Sequence, residues 1–215
     1  MKTALVVGAS GLVGWHCLQQ LLEDKYYDRV IALSRNSLGF EHVKLLNHVV
    51  DFDNLQQLAE VCAADHVFSA IGTTIKKAGS QEAFYKVDFT YAYEVAKAAK
   101  NNGAQTHVLI SSVGADAGSL LFYPKTKGEL EAAITALDFD RNIILRPSLL
   151  LGERNEKRFG EKIAKRLNNI FKFIVPRYQG IEAETVAKAM ILLAKGSEKR
   201  TQIVENKAII DLVHE

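Results

Sequence analysis

Cysteine, proline and long apolar runs are all scarce in this sequence. Its 215 residues contain three prolines, and no stretch rich in proline or glycine separates one part of the chain from another. The length and the missing linker predict a single domain over residues 1–215. No apolar run approaches the roughly 18 residues that cross a bilayer, and the run at 4–7 is too short for the core of a signal peptide. We therefore expect no membrane span and no secretory leader.

A strong charge of either sign is also missing. The formal net charge is +2, which gives no strong attraction to nucleic acid or to acidic membranes. The two cysteines, Cys17 and Cys62, lie in apolar helical stretches, which predicts buried reduced thiols and a cytoplasmic protein. The histidines show no metal-ligand spacing with these cysteines, so the sequence predicts no metal site.

The start of the chain carries the most informative pattern. An apolar run at 4–7 ends at Gly8, glycines recur at Gly11 and Gly14, and apolar residues then return at helical spacing. This order predicts a buried strand, a tight turn and a helix. Glycines in such a turn let a pyrophosphate approach the backbone, and the helix N-terminus offers it unpaired N–H groups. The segment predicts a dinucleotide site formed by Gly8, Ser10, Gly11, Leu12, Val13 and Gly14.

This glycine spacing is G-x-x-G-x-x-G, whereas the standard dinucleotide fingerprint is G-x-G-x-x-G. Glycines that only form a tight turn between strand and helix therefore remain the alternative. The position of the turn directly after the first predicted strand favours the dinucleotide site.

Strand and helix patterns then alternate along the chain. Further strands are predicted at 30–33, 48–50, 66–71, 107–110 and 142–145. Helices are predicted at 55–63, 82–101 and 182–195, and a strand with a closing helix lies within 203–212. The helix at 82–101 is expected to bury Phe84, Val87, Tyr91, Val95 and Ala98. The alternation predicts an α/β fold with a Rossmann-like, doubly wound parallel sheet flanked by helices.

The second predicted strand ends in Ser34 and Arg35. In dinucleotide folds this position faces the adenosine ribose, where an acid would bond the 2′-hydroxyl and repel a 2′-phosphate. An arginine instead favours the phosphate. Because the acid is missing and Arg35 is present, the sequence predicts NADP(H) in preference to NAD(H). The alternative is that Arg35 is a solvated loop charge.

Two later strands also end in candidate cofactor contacts. Asp51 either accepts a hydrogen bond from the adenine amine or forms a turn, with Asp53 as the cap of the next helix. Gly72 lets the backbone pass close to the nicotinamide half, at the crevice where open α/β sheets bind ligands. The residues at 75–81, which include Lys76 and Lys77, are interpreted as a basic loop that either covers the site or is plainly exposed.

Tyr123 and Lys127 lie four residues apart, so on a helix they share one face, separated by about 5.4 Å along the axis. A tyrosine with a pKa near ~10 is a poor acid or base at neutral pH. A neighbouring ammonium favours the phenolate, and the same lysine can bond the nicotinamide ribose. Ser112, with Ser111 as the alternative, would hold a substrate oxygen. Ser112, Tyr123 and Lys127 are thus the predicted catalytic residues of a hydride transfer in which the cofactor supplies the redox chemistry.

With these residues in place, the chain resembles an atypical short-chain dehydrogenase/reductase, and more specifically the Tat-interacting-protein type of oxidoreductase. The resemblance covers nearly the whole chain and rests on the glycine turn, Leu-Ser-Arg at 33–35, Val-Asp-Phe at 50–52, Ile-Gly-Thr-Thr at 71–74, the stretches at 77–79, 111–116, 123–129 and 139–141, Arg146-Pro147, and 205–209. It implies a Rossmann fold, NADP(H) binding and a retained Ser-Tyr-Lys set. It also implies cofactor contacts from Phe52, Ile71, Gly72, Thr73, Ser111, Arg146 and Pro147.

The region after Arg146 departs from the larger relatives that act on nucleotide sugars, because it is too short for a substantial substrate domain. We expect a reduced substrate-side cap formed by residues 150–182 and the C-terminus. Between 154 and 178, apolar residues alternate with basic ones, namely Lys157, Arg158, Lys162, Lys165, Arg166 and Lys172. This pattern favours an amphipathic helix with a solvated basic face. The alternative is a surface for an acidic partner or an anionic substrate.

These patterns predict an NADP(H)-dependent oxidoreductase that acts on an unidentified small carbonyl or alcohol. The competing hypothesis is an NADP(H)-binding regulatory protein that gates a protein partner without turnover. The expected partner is a small-molecule substrate, with neither nucleic acid nor membrane. A protein partner or a homodimer stays open.

Overall fold

The structure is a computed structural model that describes residues 2–152, 179–196 and 198–214. Its described strands are β1 (Lys2–Val7), β2 (Tyr27–Ser34), β3 (Leu45–Val49), β4 (His66–Ser69), β5 (Thr106–Ile110), β6 (Arg141–Arg146), β7 (Leu150–Leu151), β8 (Ile181–Glu182) and β9 (Thr201–Glu205). Seven of them form one parallel sheet in the order β3-β2-β1-β4-β5-β6-β9, while β7 and β8 pair separately. The winding direction reverses between β1 and β4, so the predicted doubly wound sheet is confirmed.

The described helices are α1 (Leu12–Glu23), α2 (Leu55–Val61), α3 (Ile75–Ala78), α4 (Gln81–Tyr85), α5 (Ala92–Asn101), α6 (Phe122–Ala136), α7 (Ala183–Gly196) and α8 (Asn206–His214). A π-helical turn at Lys86–Tyr91 joins α4 to α5. Within the described part of the chain, no helix combines the length and the apolar character that crossing a bilayer requires.

The sheet is buried on both faces, which explains why its central strands are continuous apolar runs. Successive side chains of β1 point to opposite faces. Ala4 and Val6 pack in one core with α1, α7 and α8. Leu5 and Val7 pack in the other core with α2, α5 and α6. The helices thus cover both faces, and the loops at the carboxyl ends of the parallel strands meet at one edge.

The helix predicted at 82–101 is interrupted by the π-helical turn, and its predicted buried face is partly wrong. Val87 and Tyr91 are only half-buried, whereas Asp88 and Ala92 are buried. A π turn accommodates one residue more than an α turn, so it shifts every following side chain around the axis. The shift turns Asp88 toward the interior.

The prediction of a loop over 75–81 is also wrong in part, because residues 75–78 form the helix α3. Thr74 caps this helix by accepting a hydrogen bond from the Lys77 N–H at 3.1 Å, and Ser80 caps α4 in the same way through Ala83. Gly79 ends α3 with a φ of 89°, which favours glycine. Lys76 and Lys77 are exposed on this short helix.

The third strand was predicted at 48–50 and lies earlier, at Leu45–Val49. β3 is an edge strand whose residues are exposed or half-buried, so no continuous apolar run marks its start. The basic segment at 154–178 lies outside the described residues, as does most of the predicted cap.

Candidate active site

The turn between β1 and α1 needs glycine at two positions. Gly8 has a φ of 88°, and a Cβ on it would lie 2.5 Å from the carbonyl oxygen of Ala70, beyond the end of β4. A Cβ on Gly14 would lie 2.1 Å from the Gly8 carbonyl oxygen. The absence of these two side chains lets α1 and β4 approach the end of β1 closely. The turn thus brings the N-terminus of α1 to the point where the sheet reverses direction.

The first turn of α1 offers free donors to a ligand. Gly11 is its N-cap, so within the described ranges no side chain caps this helix end. Ser10 and Gly11 are exposed, Leu12 is half-buried, and Val13 and Gly14 are buried. Unpaired N–H groups and the helix dipole together favour an anion at such a terminus. This cradle fits the pyrophosphate of a dinucleotide.

β2 ends at Ser34, and Arg35 follows it at the same edge of the sheet. The Ser34 Oγ donates to the Asn36 carbonyl at 2.7 Å and accepts from Asn47 Nδ2 at 2.8 Å, so this hydroxyl shapes the loop. Arg35 is exposed. Its side chain therefore reaches solvent where the sequence predicts the adenosine ribose.

The residues after β3 form a turn. Asp51 Oδ1 accepts from the Asp53 N–H at 3.0 Å, which is the turn arrangement considered for Asp51. The alternative in which Asp53 caps the next helix is wrong, because α2 begins at Leu55, as predicted, and Asn54 caps it. Asp53 instead accepts from Lys86 Nζ at 2.8 Å, a hydrogen bond that lowers the pKa of its carboxyl group. Phe52 is buried, with its ring 5.3 Å from that of Tyr91.

The two serines after β5 have different environments. The Ser111 hydroxyl donates to Glu131, and the same carboxylate binds Arg146 through Nε at 3.0 Å and Nη2 at 2.6 Å. Arg146 also reaches Glu205 at 3.3 Å. Ser111 and the Arg146 side chain thus belong to a network that joins α6 to β6 and β9.

The Ser112 hydroxyl, in contrast, is buried and has no hydrogen-bond partner among the residues that the structure describes. Leaving a buried polar group unpaired costs about 1–3 kcal/mol. A substrate oxygen would satisfy this hydroxyl.

Tyr123 and Lys127 lie one turn apart on α6. Tyr123 is 40% exposed, and the centroid of its ring lies 5.7 Å from that of the Phe84 ring. Lys127 is buried. The N–H of Asp116 donates to the Pro124 carbonyl at 3.0 Å, which ties the loop after Ser112 to the first turn of α6. Ser112 therefore precedes a loop that packs directly against α6, the helix that carries Tyr123 and Lys127.

Lys127 is held by an aspartate that the sequence reasoning missed. Its Nζ lies 2.7 Å from Asp88 Oδ1, and the side chains of Lys127 and Asp88 are only 6% and 1% exposed. Asp88 Oδ2 accepts from the Thr73 N–H at 2.7 Å. The sequence carries no distinct signal for this residue, because Asp88 stands in a helical stretch that also contains Lys86 and Glu94. Only the π turn places it toward Lys127.

Three further predicted contacts, Ile71, Gly72 and Pro147, follow β4 and β6. Ile71 is half-buried against the core of α2, α5 and α6, and Gly72 is exposed. The Pro147 carbonyl accepts from the Val113 N–H at 3.0 Å, which joins the loops after β5 and β6. The loops after β1, β4, β5 and β6 thus lie side by side at the carboxyl edge of the sheet.

Residues 4–200 match the model of the NAD dependent epimerase/dehydratase family. The chain belongs to this family. Its sequence is 40% identical to the protein FMP52, mitochondrial, of Meyerozyma guilliermondii, over 93% of this chain and 88% of that protein. It is 35% identical to the protein HTATIP2 of Rattus norvegicus, over 98% of this chain and 89% of that protein. The resemblance to the Tat-interacting-protein type of atypical short-chain dehydrogenase/reductase is therefore confirmed.

Solved structures with little sequence identity to this chain share its fold. UDP-glucose 4-epimerase from Thermotoga maritima, solved with UDP-glucose, has a TM-score of 0.73 at 13% identity and covers 98% of this chain and 81% of its own. The Bordetella bronchiseptica enzyme WbmH, solved with NAD+, has a TM-score of 0.73 at 16% identity and covers all of this chain and 79% of its own. These enzymes confirm the Rossmann-like architecture.

The comparisons contradict the predicted cytoplasmic location. Relatives of 36–40% identity from several yeasts are named as mitochondrial proteins. Cys17 and Cys62 are free and buried as expected, and burial raises the pKa of the Cys62 thiol to about 12. Buried reduced thiols argue only against an oxidising compartment, and they do not distinguish among reducing ones. That is why the cysteines misled the prediction.

Proposed function

We propose that this protein is an NADP(H)-dependent oxidoreductase that reduces a small carbonyl or oxidises the corresponding alcohol. The observation that carries the proposal is the buried Ser112 hydroxyl, which has no hydrogen-bond partner in the described part of the chain. It lies on a loop that packs against the helix bearing Tyr123 and Lys127. Such a hydroxyl is a ready donor to a substrate oxygen. The family's dependence on nicotinamide nucleotides agrees with this chemistry.

Residues at the carboxyl edge of the sheet would hold the two ends of the nucleotide. Gly8, Gly14 and the uncapped start of α1 would hold the pyrophosphate, with Ser10 to Val13 around it. Arg35, exposed at the end of β2, would pair with a 2′-phosphate and so favour NADP(H). Gly72 and Thr73 would pass beside the nicotinamide half. The bound nucleotide would supply or accept the hydride.

The chain's own residues would handle the proton and the substrate oxygen. Ser112 donates a hydrogen bond to the oxygen, and Tyr123 delivers the proton to it or removes it. Lys127 would bind the nicotinamide ribose through the N–H donors of its ammonium group. Tyr123 is exposed enough to exchange its proton with solvent between turnovers.

A paired titration with NADPH and NADH tests this function. The chain has one tryptophan, Trp15, in the first turns of α1, so its fluorescence reports on the glycine turn. We expect NADPH to bind at least about tenfold more tightly than NADH, or ~1.4 kcal/mol. The Arg35→Ala variant should lose that preference. Equal affinities in the parent would contradict the NADP(H) assignment, and binding of neither would contradict the proposed function.

Turnover is then measured on a panel of aldehydes and ketones with NADPH. The Tyr123→Phe variant should keep the parent's NADPH affinity and lose turnover by at least about a hundredfold. The Tyr26→Phe variant, which alters another exposed tyrosine outside the site, is the matched control. Undiminished turnover in Tyr123→Phe would overturn the role of Tyr123. NADPH binding without turnover on any carbonyl would favour the regulatory alternative.

A further inference from the structure

We propose that Asn206 is a positioning residue for Ser112, which acts through the peptide bond between Pro147 and Ser148. The inference rests on the proposed function, because it takes the Ser112 hydroxyl as the donor to the substrate oxygen. Asn206 follows β9 directly, at the start of α8, and it is fully buried. It would touch neither nucleotide nor substrate.

The side-chain amide of Asn206 bonds to two segments that are distant in the sequence. Oδ1 accepts from the Ser148 N–H at 2.9 Å, and Nδ2 donates to the Gln179 carbonyl at 2.8 Å. These partners fix which way round the amide lies, because a flipped amide would face each of them with the wrong group. An asparagine at the start of a helix commonly caps that helix. This one instead joins the loop after β6 to the segment that precedes β8.

The Ser148 N–H and the Pro147 carbonyl belong to one peptide unit. That carbonyl accepts from the Val113 N–H at 3.0 Å, and Val113 directly follows Ser112. Because a peptide unit is planar and rigid, fixing its N–H also fixes the direction of its C=O. Asn206 thus orients, through one rigid plane, the group that binds the backbone next to Ser112.

The Ser112 hydroxyl depends on this support from the backbone. Within the described ranges no hydrogen bond holds the hydroxyl itself. The Ser111 N–H donates to the Leu145 carbonyl at 2.8 Å, so Ser112 lies between this bond and that of Val113. Asn206 supports the second of these two anchors. A displacement of about 1 Å at a reacting group can lower a rate by about a hundredfold.

Amide hydrogen exchange, followed by NMR on isotope-labelled protein, tests the structural link. We expect Asn206→Ala to raise the exchange rate of the Val113 N–H at least about tenfold relative to that of the Ser111 N–H. Ser111 is the internal reference, because its bond to Leu145 does not involve Asn206. A ratio of the two rates equal to the parent's would overturn the inference.

A double-mutant cycle tests the catalytic consequence. Turnover is measured with NADPH and the aldehyde or ketone of the panel that the parent reduces fastest. Asn206→Ala should lower kcat at least about tenfold and change the NADPH dissociation constant by less than about twofold. In a Ser112→Ala background the same change should lower kcat by less than about twofold, because no hydroxyl is left to position.

Asn142 supplies the matched control. It is also a buried asparagine, near the amino end of β6, and its Nδ2 donates to Thr135 Oγ1 at 3.1 Å. Asn142→Ala should lower Tm and leave both kcat and the ratio of Val113 to Ser111 exchange unchanged. A merely structural Asn206 would behave in the same way.

The outcomes separate this inference from the proposed function. A parent that reduces none of the carbonyls overturns both. With an active parent, an unchanged kcat in Asn206→Ala overturns the inference alone. So does an equal loss of kcat with and without the Ser112 hydroxyl, or a fall in NADPH affinity as large as the fall in kcat. If Asn206→Ala does not fold, Asn206→Ser, whose side chain is one bond shorter than that of asparagine, is measured in its place and judged by the same results.

Discussion

At the residue scale, Glu131 illustrates how a neighbour decides what a side chain can do. It accepts from Ser111 and binds Arg146 through two nitrogens, and its own side chain is almost fully buried. These hydrogen bonds raise the pKa of Arg146 and keep the guanidinium charged. Because both partners are engaged, Glu131 leaves Ser112 as the serine whose hydroxyl is available to a ligand.

We expect Glu131→Gln to lower the free energy of unfolding by about 2 kcal/mol, because Arg146 would lose one of the two carboxylates that it binds within the described residues. NADPH affinity should not change. Denaturant titration measures the first quantity and Trp15 fluorescence the second. Glu129→Gln is the matched control, since Glu129 lies on the same helix and its ion pair with Lys125 is long, at 3.9 Å. A lower NADPH affinity in Glu131→Gln would place Arg146 in the nucleotide site, as the sequence predicts.

Single residues were predictable where spacing alone fixes their position. Tyr123 and Lys127 follow from helical periodicity, and the glycine turn follows from its place between a strand and a helix. Asp88 was not predictable, because its orientation depends on a π turn that leaves no periodic mark in the sequence. Capping of α2 was misassigned by one residue, which is the usual uncertainty of a helix boundary.

At the element scale, α6 is positioned by Gly128. A Cβ on this residue would lie 2.1 Å from the Ala117 backbone nitrogen and 2.3 Å from the Asp116 carbonyl carbon. The loop that follows Ser112 can therefore lie against α6 only because position 128 has no side chain. This contact sets the distance between the serine loop and the helix that carries Tyr123 and Lys127.

The Gly128→Ala variant should displace the loop and separate Ser112 from Tyr123. We expect a loss of at least about 2 kcal/mol in the free energy of unfolding, from overpacking. Turnover should fall more than NADPH affinity does, because the glycine turn is left intact. Gly118→Ala is the matched control in the same loop, where a Cβ would make an ordinary contact of 3.4 Å with Asp116 Oδ1. Equal stability and turnover in the two variants would contradict this role of Gly128.

The bounds of buried strands could be predicted from the sequence more accurately than those of exposed elements. β1, β4, β5 and β6 lie inside the sheet and are marked by apolar runs. β3 lies at the edge, where half-exposed residues blur its bounds. The short helix at residues 75–78 was missed because its caps, Thr74 and Ser80, are also common turn residues.

At the scale of the whole molecule, the alternation of strands and helices predicted the fold because parallel strands require crossover connections. The same alternation also predicted where the site lies. The sheet reverses direction between β1 and β4, and the contact between Gly8 and Ala70 closes the gap between those strands. These patterns carry no information on subcellular location, and the predicted cytoplasmic location was wrong.

Two buried histidines make the stability of the whole fold sensitive to acid. His66 and His107 are fully buried, and burial lowers the pKa of each from 6.5 to about 4. The positive charge of Arg141 adds to this effect at His66. The Tyr27 hydroxyl lies 2.8 Å from His66 Nδ1. Both histidines are therefore neutral in the folded protein, whereas in the unfolded chain each takes up a proton near its ordinary pKa.

Because the folded protein keeps both histidines neutral, acid should destabilise it. Above about pH 6.5 neither state binds the extra protons, and the contribution of the two histidines to stability is complete. As the pH falls from 6.5 toward 4, the unfolded chain binds protons that the folded protein does not, so the free energy of unfolding falls. A pKa shift of this size corresponds to as much as roughly 3 kcal/mol for each histidine.

Denaturant titrations of the parent and of a His66→Gln/His107→Gln variant measure how the free energy of unfolding changes with pH. We expect a steep loss of stability in the parent and a much shallower one in the variant between pH 6.5 and 4. Parallel slopes would show that other groups control the response to acid.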